Sequence, residues 1–138
     1  MATAIQAALQ VFIDAYARGD ITPLCTLFAP EFEIELLPKS MNVVPRNKEE
    51  YLSWIRGVLS TFRDGQLEVV ELIEAPDSRK GTVHTRSYDT ALANGTPHME
   101  YIWIITFDET LNKIVHVKEF FDSGLHVRLR EQGLVVQD

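Results

Sequence analysis

Four strand-like segments follow one another in the second half of the chain, separated only by short turns. The segments are Gln66–Ala75, Gly81–Ala93, Pro97–Asp108 and Lys113–Phe121. The turn sequences between them are Pro76-Asp77-Ser78, Asn94-Gly95 and Glu109–Asn112. Because turns this short join neighbouring antiparallel strands, the pattern predicts one long meandering sheet.

The residues before this sheet are mostly helical in their spacing. A first helix has one apolar face up to Gly19, formed by Ile5, Leu9, Phe12, Ile13 and Tyr16. A second, short helix follows Pro23, and its buried side carries Leu24, Leu27 and Phe28. The two helices therefore predict a helical hairpin at the start of the chain.

A single strand and a third helix complete the first half. Alternation from Phe32 to Leu37 predicts a half-buried strand whose polar side carries Glu33 and Glu35. Asn47 and Glu50 form a capping-box pattern, after which apolar residues recur at helical spacing: Tyr51, Trp54, Ile55, Val58, Leu59 and Phe62. A last short helix is predicted over Gly124–Gln132, with Asp122 or Ser123 as its N-cap.

This order of elements predicts an α+β fold in which a curved antiparallel sheet wraps around the N-terminal helices. A chain of 138 residues is long enough for one sizeable core and short for two, so a single domain over residues 1–138 is expected. A curved sheet capped by helices is hard to fill completely with side chains. We therefore expect one mostly apolar pocket for a hydrophobic small molecule.

Charge and targeting signals exclude several classes of partner. Thirteen basic residues against twenty acidic ones give a net charge of −7, and no basic stripe is present, which argues against nucleic acid and anionic membranes. The chain has one cysteine, Cys25, no signal-like N-terminus and no membrane-length apolar run. A cytoplasmic location is the expectation.

Strand alternation predicts which side chains face the pocket. In Pro97–Asp108 the larger and more aromatic set is placed inward: Met99, Tyr101, Trp103, Ile105 and Phe107. A hairpin without a bulge at Asn94-Gly95 then brings Tyr88, Arg86 and His84 to the same face, opposite Tyr101, Trp103 and Ile105. Pairing Phe107 with Lys113 across the next turn adds Val115, Val117, Glu119 and Phe121.

The resulting pocket contains one carboxylate, Glu119, among aromatic side chains. Desolvation disfavours an ionised carboxylate and a nearby cation restores it, so Glu119 is a candidate general acid/base. Arg86, Tyr88 or Tyr101 would stabilise an oxyanion, and His84 would relay a second proton. The alternative is that Glu119 is a structural partner of Arg86.

Other candidate residues have a structural alternative as well. Tyr16, Trp54, Trp103 and Phe121 are predicted pocket walls, although ordinary core packing explains each of them equally. His98, Glu100 and His116 lack a standard metal-ligand spacing and fall on the predicted outer face, so no metal is expected.

Several segments together resemble the NTF2-like superfamily, in particular its SnoaL-like branch. They are Gly19-Asp20, Leu27-Phe28-Ala29-Pro30, the capped third helix and the final run from Lys113 to Ser123. The resemblance covers essentially the whole chain. It implies a cone-shaped α+β fold, frequent homodimers through the outer sheet face, and pocket chemistry without a cofactor, although members that only bind ligands are also common.

The resemblance also bears on the type of reaction. Ketosteroid isomerases carry their catalytic tyrosine and two aspartates at positions that here hold Phe12, Leu36 and Trp103, which argues against 3-oxosteroid isomerisation. The ending Glu-Phe-Phe-Asp-Ser is closer to SnoaL-like cyclases and isomerases of polyketide and terpenoid pathways. In those a last-strand carboxylate is often the acid/base, which points to Glu119 or to Asp122.

We therefore expect a cofactor-independent isomerase, cyclase or dehydratase of a hydrophobic secondary metabolite, acting by proton transfer. The alternative is a non-catalytic ligand-binding or dimerisation domain.

Overall fold

The computed structural model describes residues 2–60, 65–75, 79–88, 97–122, 124, 127 and 131. Three α-helices are described, α1 (Ala4–Arg18), α2 (Thr22–Leu27) and α3 (Lys48–Ser60), together with a short 3₁₀ helix at Lys39–Met41. The strands are β1 (Phe28–Leu37), β2 (Arg46–Asn47), β3 (Gln66–Glu74), β4 (Lys80–Tyr88), β5 (Pro97–Phe107) and β6 (Ile114–Phe121). This α+β architecture confirms the predicted fold class.

The helix ends follow the predicted capping signals. Thr3 and Gln6 form a capping box at the start of α1, and Gly19 ends the helix in the left-handed conformation with φ 64°. At α3 the Asn47 and Glu50 side chains each accept a 2.9 Å hydrogen bond from the other's backbone N–H. Local sequence therefore determines where both helices begin.

The sheet has six strands in the order β2-β1-β6-β5-β4-β3. The four strands from β3 to β6 form the predicted antiparallel meander, while β1 pairs with β6 in parallel. This parallel pairing was not predicted. It places β1 and α3 next to β6, so side chains from both halves of the chain surround its inner face.

The core lies between the helices and the inner face of the sheet. It contains apolar residues from every helix and from five strands, among them Leu9, Leu24, Ile55, Phe32, Leu67, Val83, Ile105 and Val117. At Gly81 an added Cβ would lie 2.4 Å from a side-chain carbon of Ile5, so α1 packs closely on the start of β4. The helices are therefore held directly against the strands of the meander.

The predicted phase of β5 is confirmed, and that of β4 is wrong. Met99, Tyr101 and Trp103 are buried, but Thr85 is paired with Tyr101, where Tyr88 was expected. A register shift between Ser87 and Tyr88 accounts for the difference, because one irregularity exchanges the two faces of a strand. The hairpin at Asn94-Gly95 itself lies outside the described residues.

The phase of β6 was predicted correctly except next to its turn. Val117, Glu119 and Phe121 point inward as expected. A register shift between Thr106 and Phe107 pairs Phe107 with Ile114 and leaves Val115 only half-buried. Beyond β6, Gly124, Val127 and Glu131 have helical backbone, and the remainder of the predicted last helix lies outside the described residues.

In the described part of the chain, no helix is both long enough and apolar enough to span a membrane.

Candidate active site around Glu119

Glu119 lies in the interior, between the sheet and the helices, and is 4% exposed. It is the only charged side chain that is buried among the described residues. Its neighbour across the strands is Trp103, whose indole Nε1 donates a 2.9 Å hydrogen bond to the Glu119 carboxylate. Burial removes the carboxylate from water, and one hydrogen bond from a neutral donor replaces only part of that hydration.

The pKa of Glu119 is therefore strongly shifted. Burial raises it from 4.5 to about 7, against the smaller lowering effects of the Trp103 hydrogen bond and the Arg46 charge. The carboxyl group therefore titrates in the range around neutral pH. A group in this condition can both accept and donate a proton, which is what general acid/base catalysis requires.

Aromatic side chains enclose this carboxyl group. Phe12 lies 5.2 Å from Trp103 between ring centroids, and Phe28 stacks on Phe32 at 4.2 Å. Together with Glu119 the residues lining the cavity are Phe12, Phe28, Phe32, Ile34, Tyr51, Trp103, Ile105 and Val117. The volume that these residues enclose is about 10 Å³, which is room for about one water molecule. The expected pocket of small-molecule size is therefore not open at Glu119, because aromatic side chains fill the space between the sheet and the helices.

Three tyrosine hydroxyls lie in the same interior. Burial raises the pKa of Tyr16, Tyr51 and Tyr101, and the negative charge of Glu119 raises each further. Tyr16 and Tyr101 share a hydrogen bond, and Tyr101 also hydrogen-bonds Ser87. All three hydroxyls stay protonated at physiological pH. Tyr16 donates its proton to Tyr101, which leaves Tyr51 and Tyr101 as the candidate donors to a ligand.

The cation that acts on Glu119 comes from β2. Arg46 lies over the ring of the half-buried Trp54, at 4.9 Å from the ring centroid, and its charge lowers the pKa of Glu119. Arg46 was not among the predicted site residues, since it precedes α3 in what was expected to be a loop. Its pairing with Ile34 of β1 places it on the same face of the sheet as that residue, in a half-buried position.

Three predicted catalytic residues lie on the other face of the sheet. His84 and Arg86 bind Glu100 through contacts of 2.5 and 3.0 Å, and the Tyr88 hydroxyl donates to Glu68 at 3.1 Å. All five residues are at least partly exposed. The expected inward position of His84, Arg86 and Tyr88 is wrong, and so is the alternative in which Arg86 pairs with Glu119.

The other predicted residues divide between interior and surface. Tyr16, Met99, Tyr101, Trp103 and Phe121 are buried on the inner side. Asp122 follows β6 directly and is exposed, whereas Glu119 is buried. Roles in substrate binding or catalysis stay predictions for all of them.

Sequence reasoning missed two kinds of interior residue. Tyr51 was assigned to the apolar face of α3 without a site role, although its spacing with Ile55 and Leu59 indicated burial. Thr85 and Ser87 were not considered, because the predicted register turned His84, Arg86 and Tyr88 inward and the irregularity in β4 has no evident sequence signal.

The fold and the site together define a class: an α+β cone in which, over the described part of the chain, one carboxylate is buried among aromatic side chains. A profile of the SnoaL-like domain family matches residues 9–117, and the chain belongs to this family. The predicted resemblance is thereby confirmed.

Two sequence relatives cover most of the chain. Monooxygenase AacuO of Aspergillus aculeatus is 27% identical over 86% of this chain and 73% of its own length. An ergochrome gene cluster protein of Claviceps purpurea is also 27% identical, over 86% of this chain and 77% of its own.

Solved structures share the fold at lower identity. BvnE pinacolase from Penicillium brevicompactum has a TM-score of 0.80 and 19% identity, covering 94% of this chain and 90% of its own. AusH from Aspergillus nidulans has a TM-score of 0.74 and 22% identity, covering 87% and 84%. At these identities the likeness establishes the fold alone.

Proposed function

We propose that the protein is a cofactor-independent isomerase or cyclase of a hydrophobic secondary metabolite, with Glu119 as its general acid/base. The observation that carries the proposal is the carboxyl group of Glu119, fully buried among aromatic rings and with a pKa of about 7. Perturbed carboxylates of this kind concentrate at active sites.

In the proposed reaction the aromatic side chains around Glu119 move apart to admit the substrate, since the enclosed space holds only about one water molecule. Glu119 then removes a proton from a carbon next to a substrate carbonyl. The C–H bond breaks, an O–H bond forms on the carboxylate, and the electron pair moves onto the carbonyl oxygen. Tyr51 and Tyr101 donate hydrogen bonds to this oxygen, and Tyr16 donates to Tyr101. The protonated Glu119 then returns the proton to another carbon, which isomerises the substrate, or to the oxygen formed when the enolate attacks a second carbonyl, which cyclises it.

The outer-face position of Arg86 supports the catalytic alternative over the structural one. In a buried ion pair with Arg86, the Glu119 carboxylate would stay ionised, and its oxygens would be bound to the guanidinium group. Instead Arg86 contacts Glu100 and Glu68, and Trp103 is the hydrogen-bond donor to Glu119.

The test uses late intermediates of the biosynthetic pathway that the neighbouring genes encode. Purified wild-type protein and the Glu119→Gln variant are incubated with each intermediate, and products are followed by mass spectrometry and chiral chromatography. We expect wild type to form a product of unchanged mass and Glu119→Gln to lose at least about a hundredfold in rate. Glu31→Gln, at an exposed position of β1, is the matched control and should keep wild-type activity.

Product mass also separates this proposal from its alternatives. AacuO is named a monooxygenase, and oxygenation of the substrate would add the mass of one oxygen atom, whereas dehydration would remove one water. Ligand binding without any product would favour the non-catalytic alternative. Full activity of Glu119→Gln would remove Glu119 from the mechanism.

A further inference from the structure

A histidine and two glutamates come together on the outer face of the sheet, where β1 pairs with β6. Glu33 and Glu35 are two residues apart on β1, so their side chains lie on the same face. His116 of β6 is paired with Glu33 across the parallel strands. Because the adjacent Ile34 and Val117 are buried on the inner side, these three side chains lie on the outer side. We call Glu33, Glu35 and His116 the β1–β6 cluster.

The donor atoms of the β1–β6 cluster converge on one point. One oxygen of each carboxylate and one ring nitrogen of His116 all lie within 4.8 Å of one another. His116 Nε2 lies 3.2 Å from Glu35 Oε2. In a tetrahedral zinc site with bonds of about 2.0–2.1 Å, neighbouring donor atoms lie roughly 3.3 Å apart. Small side-chain rotations are therefore enough to bring all three donor atoms onto one ion.

The ion pair between His116 and Glu35 explains only part of this arrangement. The two side chains are 28% and 19% exposed, so water screens their contact only in part. The Glu33 side chain makes no hydrogen bond or ion pair within the described residues, although its carboxylate lies beside that of Glu35. The two negative charges repel each other, and a divalent cation between them would replace this repulsion with attraction.

The chemistry of the donor set selects among divalent cations. Mg²⁺ and Ca²⁺ prefer oxygen ligands alone, whereas Zn²⁺ binds imidazole nitrogen together with carboxylate oxygen. Sites with three protein ligands leave the fourth position of Zn²⁺ to a water molecule. The β1–β6 cluster supplies this number and kind of ligand.

The cluster is also accessible from solvent. Glu35 lines a groove of about 290 Å³ at the edge of the sheet, together with Leu36, Lys39, Asn42, Val43, Val44 and Pro45. Lys39 Nζ lies 3.5 Å from Glu35 Oε1, but the Lys39 side chain is 79% exposed and is free to swing into solvent. An ion can therefore reach Glu35 without any movement of the core.

We propose that the β1–β6 cluster binds one Zn²⁺ ion, with Glu33, Glu35 and His116 as its protein ligands and a water molecule as the fourth. The ion joins β1 to β6, which come from opposite halves of the chain and pair in parallel. It lies on the face of the sheet opposite to Glu119 and does not rest on the proposed function. The sequence-based expectation that no metal binds was reached without the carboxylates of β1.

Isothermal titration calorimetry of the untagged full chain with zinc chloride tests the site. Wild type should bind one equivalent of Zn²⁺, and His116→Gln and Glu33→Gln should each bind at least about tenfold more weakly, because each loses one ligand. His84→Gln is the matched control, since it removes a histidine that contacts a different glutamate, and it should bind as wild type does. Absence of binding to wild type, or an equal loss in His84→Gln and His116→Gln, would overturn the proposal.

Nuclear magnetic resonance of the histidine rings tests the ligands without relying on the folding of a variant. Zinc added to wild type should shift the ring nitrogen signals of His116 and leave those of His84 in place, because only His116 becomes a ligand. The spectrum of His116→Gln assigns the signals. A zinc-dependent shift confined to other histidines would overturn the proposal.

Thermal unfolding measures the link between the two strands. At a zinc concentration of about a hundred times Kd, wild type should gain about 5 °C or more in Tm, since the ion binds only the folded cluster. Excess EDTA should reverse the gain, and His116→Gln should show none at the same zinc concentration. A wild-type Tm that zinc does not raise, or an equal rise in His116→Gln, would contradict a site formed by these three residues.

Discussion

At the scale of single residues, the interior of this protein departs from an ordinary core at Glu119. Most of its neighbours are aromatic or aliphatic, and its hydrogen bond from Trp103 compensates only part of the desolvation. At high pH the folded protein would be more stable with an uncharged residue at this position. The cost in stability is consistent with selection for a function at this position.

The pH dependence of stability follows from the pKa of Glu119. Because the folded-state pKa is raised from 4.5 to about 7, the folded protein holds a proton that the unfolded chain has already released between these pH values. The stabilising contribution is therefore complete below pH 4.5 and is lost as pH rises through about 7. The shift in pKa corresponds to a decrease in the free energy of unfolding on the order of 3 kcal/mol at about pH 8, relative to pH below 4.5.

We expect Glu119→Gln to remove this dependence. Urea unfolding of both proteins between about pH 4 and pH 8 should show wild type losing stability relative to Glu119→Gln as pH rises. The exposed control Glu31→Gln should follow the wild-type curve. Parallel curves for wild type and Glu119→Gln would contradict the raised pKa.

We expect the indole of Trp103 to lower the pKa of Glu119. Its Nε1 hydrogen bond stabilises the ionised carboxylate, so Trp103→Phe should raise the pKa of Glu119 further. Infrared titration of the protonated carboxyl band would measure this, with Glu119→Gln identifying the band. A midpoint that stays in place or moves down would show that the hydrogen bond has no such effect.

At the scale of elements, strand β4 decides which polar side chains can reach the interior. Its inner side carries Val83, Thr85 and Ser87, all completely buried, and its outer side carries His84 and Arg86. The outer residues hydrogen-bond Glu100 on the neighbouring strand. The two faces of one strand thus hold separate polar clusters.

Paired substitutions in β4 test this assignment. Val83→Ala should destabilise the protein by about 2 kcal/mol, since it empties part of the core. Arg86→Ala should leave urea stability and turnover near wild type, because exposed ion pairs contribute little. If Arg86→Ala abolished activity while Val83→Ala had no effect, the observed register would be wrong.

At the scale of the whole molecule, the outer face of the sheet exposes apolar side chains. Ile102 is paired with Phe120 across β5 and β6, and Ile104 lies two residues further along. Phe120 is 51% exposed, and the two isoleucines are more than a third exposed. The homodimer implied by the family resemblance would cover these residues, and it stays a prediction.

Sedimentation equilibrium tests the dimer directly. We expect wild type to sediment as a dimer and Phe120→Glu to sediment as a monomer, because a charge buried in an apolar interface is unfavourable. Val44→Glu, at an exposed apolar position away from this face, should remain dimeric. A monomeric wild-type protein would contradict the expectation.

Local sequence determined most of the elements and one face of the sheet. The capping residues Thr3 and Asn47 and the left-handed Gly19 mark helix ends through contacts within a few residues, which is why their positions were predictable. The alternation in β5 and β6 placed Trp103 and Glu119 inward, since every second side chain of a strand points to the same face of the sheet.

Only the tertiary structure decided how these elements meet. The irregularity in β4 placed Thr85 instead of Arg86 on the inner face. The pairing of β1 with β2 brought the half-buried Arg46 close enough to act on the pKa of Glu119. Register depends on turn geometry and on packing between distant segments, and no short stretch of sequence specifies either. The sequence thus established that Glu119 is buried, and the tertiary structure decided which residues surround it.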